Sequence, residues 1–327
     1  MLKILLVKTS SMGDVIHNMA VVADIKAHFP DAQIDWVVET PFVELVKLNP
    51  DIHRIIPVAM RRWKRALFSR QTWSEVAAFK RKLQETVYDA IIDTQALLKS
   101  ALISRLAHGI SHGPNYKTAR EPLAGLIYNH GYAISPKIHA LTRYRMLAAQ
   151  ALGYPLPASP PNYHLQLTKT ETPPSLPERY VLGLHSTARD SKLWPVEYWI
   201  TFGKYLDQRG LSLLLPWGNE VELARSNSIA TGINSNAFNK AIVLPKMNLT
   251  QLAGLIVSAK AAVGLDTGLM HLAVALKIPT LAIFCDTHTW QAGAMPSVDA
   301  IAITIGGKRA CPRIEDACKT FQQILPP

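Results

Sequence analysis

The chain has 327 residues, 48% of them hydrophobic and 18% charged, which marks it as globular rather than disordered and allows two ordinary α/β domains, each with its own core. Lysine and arginine outnumber aspartate and glutamate by 35 to 24, a formal charge of +11, so an anionic partner is favoured: nucleic acid, an acidic membrane surface or a phosphorylated substrate. The three cysteines, Cys285, Cys311 and Cys318, are an odd number without metal-ligand spacing; neither a disulfide scaffold nor a zinc site is indicated, and a reducing cytoplasm fits.

The opening Met1-Leu2-Lys3-Ile4-Leu5-Leu6-Val7-Lys8 is apolar only between lysines, too short for the apolar region of a signal peptide. No later segment approaches the roughly 20 apolar residues of a membrane helix. Any membrane contact is therefore expected to be peripheral. Residues 3–7 predict a buried parallel strand, Thr9-Ser10-Ser11-Met12-Gly13-Asp14 a polar loop, residues 15–29 an amphipathic helix and residues 34–38 the next strand. Gly13 stands alone where G-x-G-x-x-G or G-x-x-x-x-G-K-[ST] would be required, which disfavours a Rossmann dehydrogenase and a P-loop enzyme.

A basic region follows: Arg61, Arg62, Lys64, Arg65, Arg70, Lys80, Arg81 and Lys82, interrupted by Glu75 and interleaved with Trp63, Phe68 and Trp73. Trp73, Val76, Ala77, Leu83 and Val87 have helical spacing, so residues 73–87 are expected to lay one face on the core. Residues 61–65 read as a loop before that helix. A charge run is ordinarily a solvated face, but cations clustered with aromatics suit an interfacial, anion-binding surface. Residues 88–93 are another strand, ending in Asp93-Thr94-Gln95, and residues 108–120 a loop rich in Gly, His and Pro. Arg143 and Arg145 lie on a helix running to Leu152. The proline-rich stretch 154–177 reads as a link between domains, dividing the chain into 1–160 and 161–327.

The second half starts afresh, with a strand at 180–184, a loop from His185 to Lys192 and a helix over 196–208. Strands at 211–215 and 241–244 and a helix over 249–259 follow. Next comes Val263-Gly264-Leu265-Asp266-Thr267-Gly268-Leu269-Met270-His271, read as a buried strand, a sharp turn and a helix starting at Thr267 or Gly268. Backbone N–H groups at such a start lack intrahelical partners and favour an anion, with Gly268 permitting close approach. A plain turn with Asp266 as a cap is the other reading. Residues 280–284 add a further strand. Strands alternating with helices and restarted once predict two doubly wound parallel sheets facing each other, with ligands beyond the carboxyl ends of the strands, where Asp14 and Asp266 both lie.

Lys8-Thr9-Ser10-Ser11-Met12-Gly13-Asp14-Val15, the basic residues 61–65, Thr118-Ala119-Arg120-Glu121-Pro122-Leu123, Leu215-Pro216-Trp217-Gly218 and Asp266-Thr267-Gly268-Leu269-Met270-His271 together resemble the lipopolysaccharide heptosyltransferase family. The basic residues and Thr-Ala-Arg-Glu-Pro-Leu are most similar to its first-heptose branch. The resemblance spans nearly the whole chain. It implies a GT-B fold of two Rossmann-like domains facing across a cleft, and an inverting transfer of L-glycero-D-manno-heptose from ADP-heptose to the Kdo of Kdo2-lipid A. It also implies peripheral residence on the cytoplasmic face of the inner membrane. The N-terminal domain would hold the acceptor through Ser10, Ser11, Gly13, Arg61, Arg62, Lys64, Arg65 and Arg120. The C-terminal domain would hold ADP-heptose through Thr187, Ala188, Lys192, Glu222, Met247, Asp266, Thr267, Gly268 and His271.

Sugar transfer needs a base for the acceptor hydroxyl and a positive field for the departing diphosphate. Asp14 is the candidate base, a role the resemblance assigns to it; the alternative is a helix N-cap before Val15. A free carboxylate, with a pKa of ~3.9, is a weak base unless partly desolvated, and would mainly take the proton late, as an oxocarbenium-like centre is captured. No Asp-x-Asp motif occurs, so no metal or other cofactor is expected and Lys192 is the candidate phosphate cation. Glu222 reads equally as an acceptor from ribose hydroxyls and as a solvated helix acid. Met247 could lie near adenine or pack in the core, and His271 could bind donor, orient Asp266 or be structural. Three departures from the family pattern bear on the donor side and the turn after residue 93: Ala188 where a hydroxyl residue is expected, Ala96 where Gly is common, and Cys285-Asp286-Thr287-His288-Thr289-Trp290 in place of a Gly-Pro-Thr-Asp-Pro-like loop. Two other readings remain, a second heptosyltransferase acting on a heptosylated acceptor and a basic nucleic-acid-binding module. The latter lacks a recognised RNA-binding signature.

Overall fold

The computed structural model describes residues 1–167, 176–235, 238 and 240–326. The chain divides into two compact units, Met1–Gln166 and Leu167–Pro327, a boundary slightly later than residue 160. Part of the expected link, residues 168–175, lies outside the described residues.

Unit 1 runs β1 (Lys3–Val7), α1 (Met12–His28), β2 (Gln33–Glu39), α2 (Val43–Val46), β3 (Ile52–Val58), α3 (Met60–Trp63), α4 (Arg70–Gln84), β4 (Val87–Asp93), α5 (Leu98–Leu106), β5 (His108–Pro114), β6 (His130–Tyr132) and α6 (Ala140–Leu152). Its six strands form one sheet in the order β3-β2-β1-β4-β5-β6, every pairing parallel. Ile4, Leu5, Leu6 and Val7 of β1 are wholly buried, as a central strand covered by helices on both faces requires.

Unit 2 runs β7 (Tyr180–Leu184), α7 (Val196–Asp207), β8 (Ser212–Leu215), α8 (Glu220–Asn234), β9 (Ile242–Val243), α9 (Leu249–Ser258), β10 (Ala261–Leu265), α10 (Gly268–Ala275), β11 (Thr280–Phe284), α11 (Thr289–Ala292), β12 (Ala302–Gly306) and α12 (Ile314–Ile324). The sheet order is β12-β11-β10-β7-β8-β9, again with parallel pairs. Counted from each unit's own first strand, both sheets have the 3-2-1-4-5-6 order of a Rossmann fold, in which the chain reverses direction across the sheet between the first and fourth strands. Those strands are β1 and β4 in unit 1 and β7 and β10 in unit 2. Trp194, Trp199, Phe202 and Phe321 pack edge to face in the core of unit 2.

Several expectations are corrected. Helix α1 starts at Met12 rather than Val15, because Ser11 serves as N-cap and its backbone N–H finds the Asp14 carboxylate. Arg61 and Arg62 lie in the short helix α3, not in a loop. In α4 the buried positions are Thr72, Phe79 and Leu83; Trp73 points outward, its indole N–H donating to the Leu67 carbonyl at 2.8 Å. Residues 108–114, read as loop, are strand β5: side-chain bonding from Asn129 and a histidine–tyrosine stack support a stretch with little apolar content.

Candidate active site

In unit 1 the reversal point is built around Asp14, the third residue of α1. Tyr144 of α6 donates its hydroxyl to Asp14 Oδ1 at 2.6 Å, and the N–H and hydroxyl of Ser11 donate to Oδ2 at 3.2 and 3.0 Å. Asn18, one turn along, donates to the Asp14 carbonyl at 2.8 Å and accepts from the Thr94 hydroxyl at 2.7 Å, which ties α1 to the turn after β4. Asp14 is therefore not the N-cap itself: it occupies the first turn, where the positive end of the helix favours a carboxylate.

Lys8 ends the β1 side of the site. It is buried, donates to the Thr94 carbonyl at 3.1 Å and lies 4.0 Å from the centre of the Tyr144 ring. Burial lowers its pKa to about 8, against the raising effect of Asp14 and Asp93 and with further lowering by Arg143 and Arg120. For Asp14, burial pushes the carboxyl up, but Lys8, the Tyr144 hydroxyl, His17 and the Ser11 N–H together hold it well below the usual carboxylate range. The carboxylate is thus ionised throughout the neutral range.

The turn after β4 supplies the facing wall. Asp93 Oδ1 accepts from the N–H groups of Gln95 and Ala96, and Tyr128 donates to Oδ2 at 2.8 Å. Gln95 Oε1 accepts from the N–H groups of Thr9 and Ser10 at 3.1 and 3.2 Å. Ala96 has φ of 55°, a left-handed conformation that glycine adopts without strain, which is the physical reason a glycine suits this turn. Ser10, Ser11, Asp14 and Arg120 line one open cleft of about 530 Å³ together with Gln95. Lys8, Arg120 and Arg143 converge with Thr118 and Tyr144 on a second, smaller cavity of about 70 Å³. Arg143 Nε is buried without a hydrogen-bond partner.

Gly13 sits in the first turn of α1 but does not line the cleft. The basic residues of α3 and of the two positions after it do not line the cleft. Arg61, Lys64 and Arg65 are exposed, while Arg62 pairs with Glu75, which also accepts from the Trp63 indole at 2.8 Å.

In unit 2 the reversal point holds Asp266, between β10 and α10. Its carboxylate is paired with Lys192 and accepts from the Thr287 hydroxyl at 2.7 Å, and its carbonyl accepts from the Thr187 hydroxyl at 3.0 Å. Thr267 is the N-cap of α10 and Gly268 its first residue, so unpaired N–H groups begin where expected. Lys192 and Asp266 are thus each other's partners, with side-chain exposures of only 15% and 12%; an arriving anion competes with Asp266 for the ammonium. Gly264 lets α10 approach, since a Cβ there would lie 2.9 Å from Met270 Cβ and 3.3 Å from Leu184 Cβ. His271 is buried in α10 and half-buried Met247 precedes α9. Glu222 accepts from the Gly218 N–H at 2.7 Å and from the Asn219 amide at 3.0 Å, so it buttresses the start of α8. Ala188 is exposed and offers only backbone polar groups.

Lys8, Gln95, Arg143, Tyr144 and Thr287 are given no site role by the sequence. A lysine at the end of an otherwise apolar strand was the one available signal, for Lys8. Tyr144 is 130 residues from Asp14 in the chain, and nothing local announces the contact. Among the described residues no group of three or more His, Cys, Asp or Glu side chains converges as for a metal ion, and no helix is long and apolar enough to cross a membrane.

Comparison with known proteins places the chain. Residues 76–321 match glycosyltransferase family 9 (heptosyltransferase). Lipopolysaccharide heptosyltransferase 1 of Escherichia coli K12 is 41% identical over 287 residues, 88% of each chain. The structure of E. coli heptosyltransferase WaaC with ADP superposes with a TM-score of 0.87 at 36% identity, covering 99% of this chain and 100% of that one. WaaC with ADP-2-deoxy-2-fluoro heptose gives 0.83 at 38%, covering 98% and 99%. Two sheets of Rossmann order are thus the GT-B framework of a glycosyltransferase, and the chain belongs to family 9, the heptosyltransferases.

Proposed function

We propose that this enzyme transfers L-glycero-D-manno-heptose from ADP-heptose to the Kdo of Kdo2-lipid A, with inversion, and that unit 1 holds the acceptor while unit 2 holds the donor. The observation that carries the reading is an ionised carboxylate, Asp14, walled by cations at the reversal point of unit 1, in a chain 41% identical to a heptosyltransferase 1. Asp14 takes the proton of the attacking hydroxyl. Its depressed pKa makes it a weak base, so transfer is late, once the sugar carbon carries positive charge and the hydroxyl has become acidic. One carboxylate and one in-line displacement give inversion.

Lys8, Arg120 and Arg143 around the small cavity suit the carboxylate of an acidic sugar, with Ser10 and Ser11 at the cleft mouth. Lys192 leaves Asp266 to meet the diphosphate, and the N–H groups at Thr267 and Gly268 add the dipole of α10. Thr187 and the Ala188 backbone, Glu222, Met247 and His271 complete the donor assignment, with ribose the partner of Glu222. No divalent metal is required in this scheme. Arg61, Lys64 and Arg65, beside exposed Leu67, Phe68 and Trp73, form a cationic and aromatic surface suited to lipid A phosphates and to peripheral contact with the cytoplasmic face of an anionic inner membrane.

The deciding experiment is a matrix of ADP-heptose and other nucleotide sugars against Kdo-terminated and heptose-terminated lipid A. Transfer from ADP-heptose to the Kdo-terminated acceptor is expected; preference for the heptose-terminated one would reassign the enzyme to the second transfer. Oligonucleotide binding without ADP-heptose affinity would reject both.

A further inference from the structure

Two cysteines that the sequence left unrelated meet in unit 2. Cys285, buried at the end of β11, and Cys311, exposed, are free thiols with Sγ atoms 2.9 Å apart, although 26 residues separate them in the chain. The third, Cys318, lies on α12 against the core. Both members of the pair lie close in the chain to a residue that bonds to Asp266 or to the segment just after Lys192. Cys285 is followed by Asp286 and then Thr287, whose hydroxyl donates to Asp266 at 2.7 Å. Cys311 is followed by Pro312, whose carbonyl accepts from the Trp194 indole at 2.9 Å, and Trp194 lies just beyond Lys192.

We propose that Cys285 and Cys311 form a reversible disulfide by exchange with a low-molecular-weight disulfide, and that closing it weakens the adjacent pocket's affinity for a nucleoside diphosphate. The exposed Cys311 thiolate attacks one sulfur of the reagent RSSR, giving a mixed disulfide and displacing RS⁻, which takes up a proton. Cys285 then loses its proton to solvent and attacks Cys311 Sγ; the bond from Cys311 to the reagent sulfur breaks, and the second RS⁻ leaves and is protonated. Two protein thiols become one disulfide while one RSSR becomes two RSH. Burial, with the Cys311 neighbour and Asp286 adding to it, pushes the Cys285 thiol up, which suits the second, resolving role rather than the first attack.

The sulfurs need only close to the ~2.05 Å of a disulfide. Once joined, they stiffen the segments carrying Thr287 and Pro312, so releasing Lys192 from Asp266 to a diphosphate costs more. This coupling rests on assigning Lys192 and Asp266 to the donor diphosphate; the disulfide does not.

The test uses the full-length protein equilibrated with oxidised glutathione or with dithiothreitol, with thiol counting, peptide mapping and calorimetric ADP titration in each state. Oxidation is expected to lower the free thiols from three to one, join the Cys285 and Cys311 peptides, raise Tm by roughly 5–10 °C and raise the ADP Kd about fivefold. Dithiothreitol should reverse all four. Cys311→Ser, at an exposed position, should keep the reduced-state ADP affinity under oxidant. A persistent glutathione adduct on Cys311, a bridge through Cys318, or equal ADP Kd in the two states would overturn the proposal. ADP binding to neither state would refute the diphosphate assignment and the coupling with it, while the joined peptide would still uphold the disulfide.

Discussion

At Asp14, desolvation and charge pull in opposite directions, and charge wins. Burial alone would raise the carboxyl's pKa, but Lys8, Tyr144, His17 and Ser11 reverse the shift. The two groups are coupled, so removing Lys8 changes both limbs of a pH profile. Acceptor kcat/KM is expected to fall above pH about 8, as Lys8 loses its charge. In Lys8→Met that limb should vanish and the acid limb should move upward, because Asp14 has lost a nearby cation; a profile of kcat/KM against pH checks both. Stability has its own sign. The Lys8 pKa falls on folding from 10.5 to about 8, so the unfolded chain binds more protons between those values and stability rises with pH across that window. Asp14→Ala should lower kcat about a thousandfold while ADP affinity, measured by calorimetry, stays within a few-fold, since the donor is assigned to unit 2.

Helix starts organise both half-sites at the scale of elements. In unit 1 the first turn of α1 presents Asp14 itself; in unit 2 the first turn of α10 presents bare N–H groups, and the charges come from Lys192 and Asp266 beside it. The approach of α10 to the sheet depends on Gly264. Gly264→Ala should cost about 1–3 kcal/mol in urea unfolding, as an overpacked core position, and should raise the donor KM because the N–H groups shift with the helix. The cations of α3 and the two residues after it divide by partner. Replacing Arg61, Lys64 and Arg65 by Ala should raise the acceptor KM more than the donor KM in steady-state assays, whereas Arg62→Ala should have a smaller effect because Arg62 is held by Glu75.

For the whole molecule, the net charge of +11 and the exposed Phe68 and Trp73 predict binding to vesicles containing anionic lipid at low salt and release as the ionic strength approaches ~1 M, where the Debye length falls to about 3 Å; co-sedimentation across a salt series measures it. Activity is expected to survive EDTA, with Lys192 and the α10 dipole supplying the field for the diphosphate, and an assay in chelated buffer decides the point.

The sequence by itself determined the doubly wound class, because apolar runs such as Lys3–Val7 and Ala261–Leu265 can be satisfied only in a sheet covered on both faces. It also carried Asp14, Thr267 and Gly268 to the ends of their strands, because strand, turn and helix start are written in neighbouring residues. Strand β5 and the outward turn of Trp73 were not legible: propensity there is weak, and side-chain bonds, from Ser111 N–H to Asn129 eighteen residues on and from Trp73 to the Leu67 carbonyl of the preceding turn, decided the outcome. Only the tertiary structure put Tyr144 against Asp14, Lys8 under the Tyr144 ring, Lys192 on Asp266 and Cys285 on Cys311. Each of those pairs joins residues far apart in the chain, and a contact whose energy depends on where two separate loops emerge from a sheet leaves no periodicity or spacing in the sequence to read.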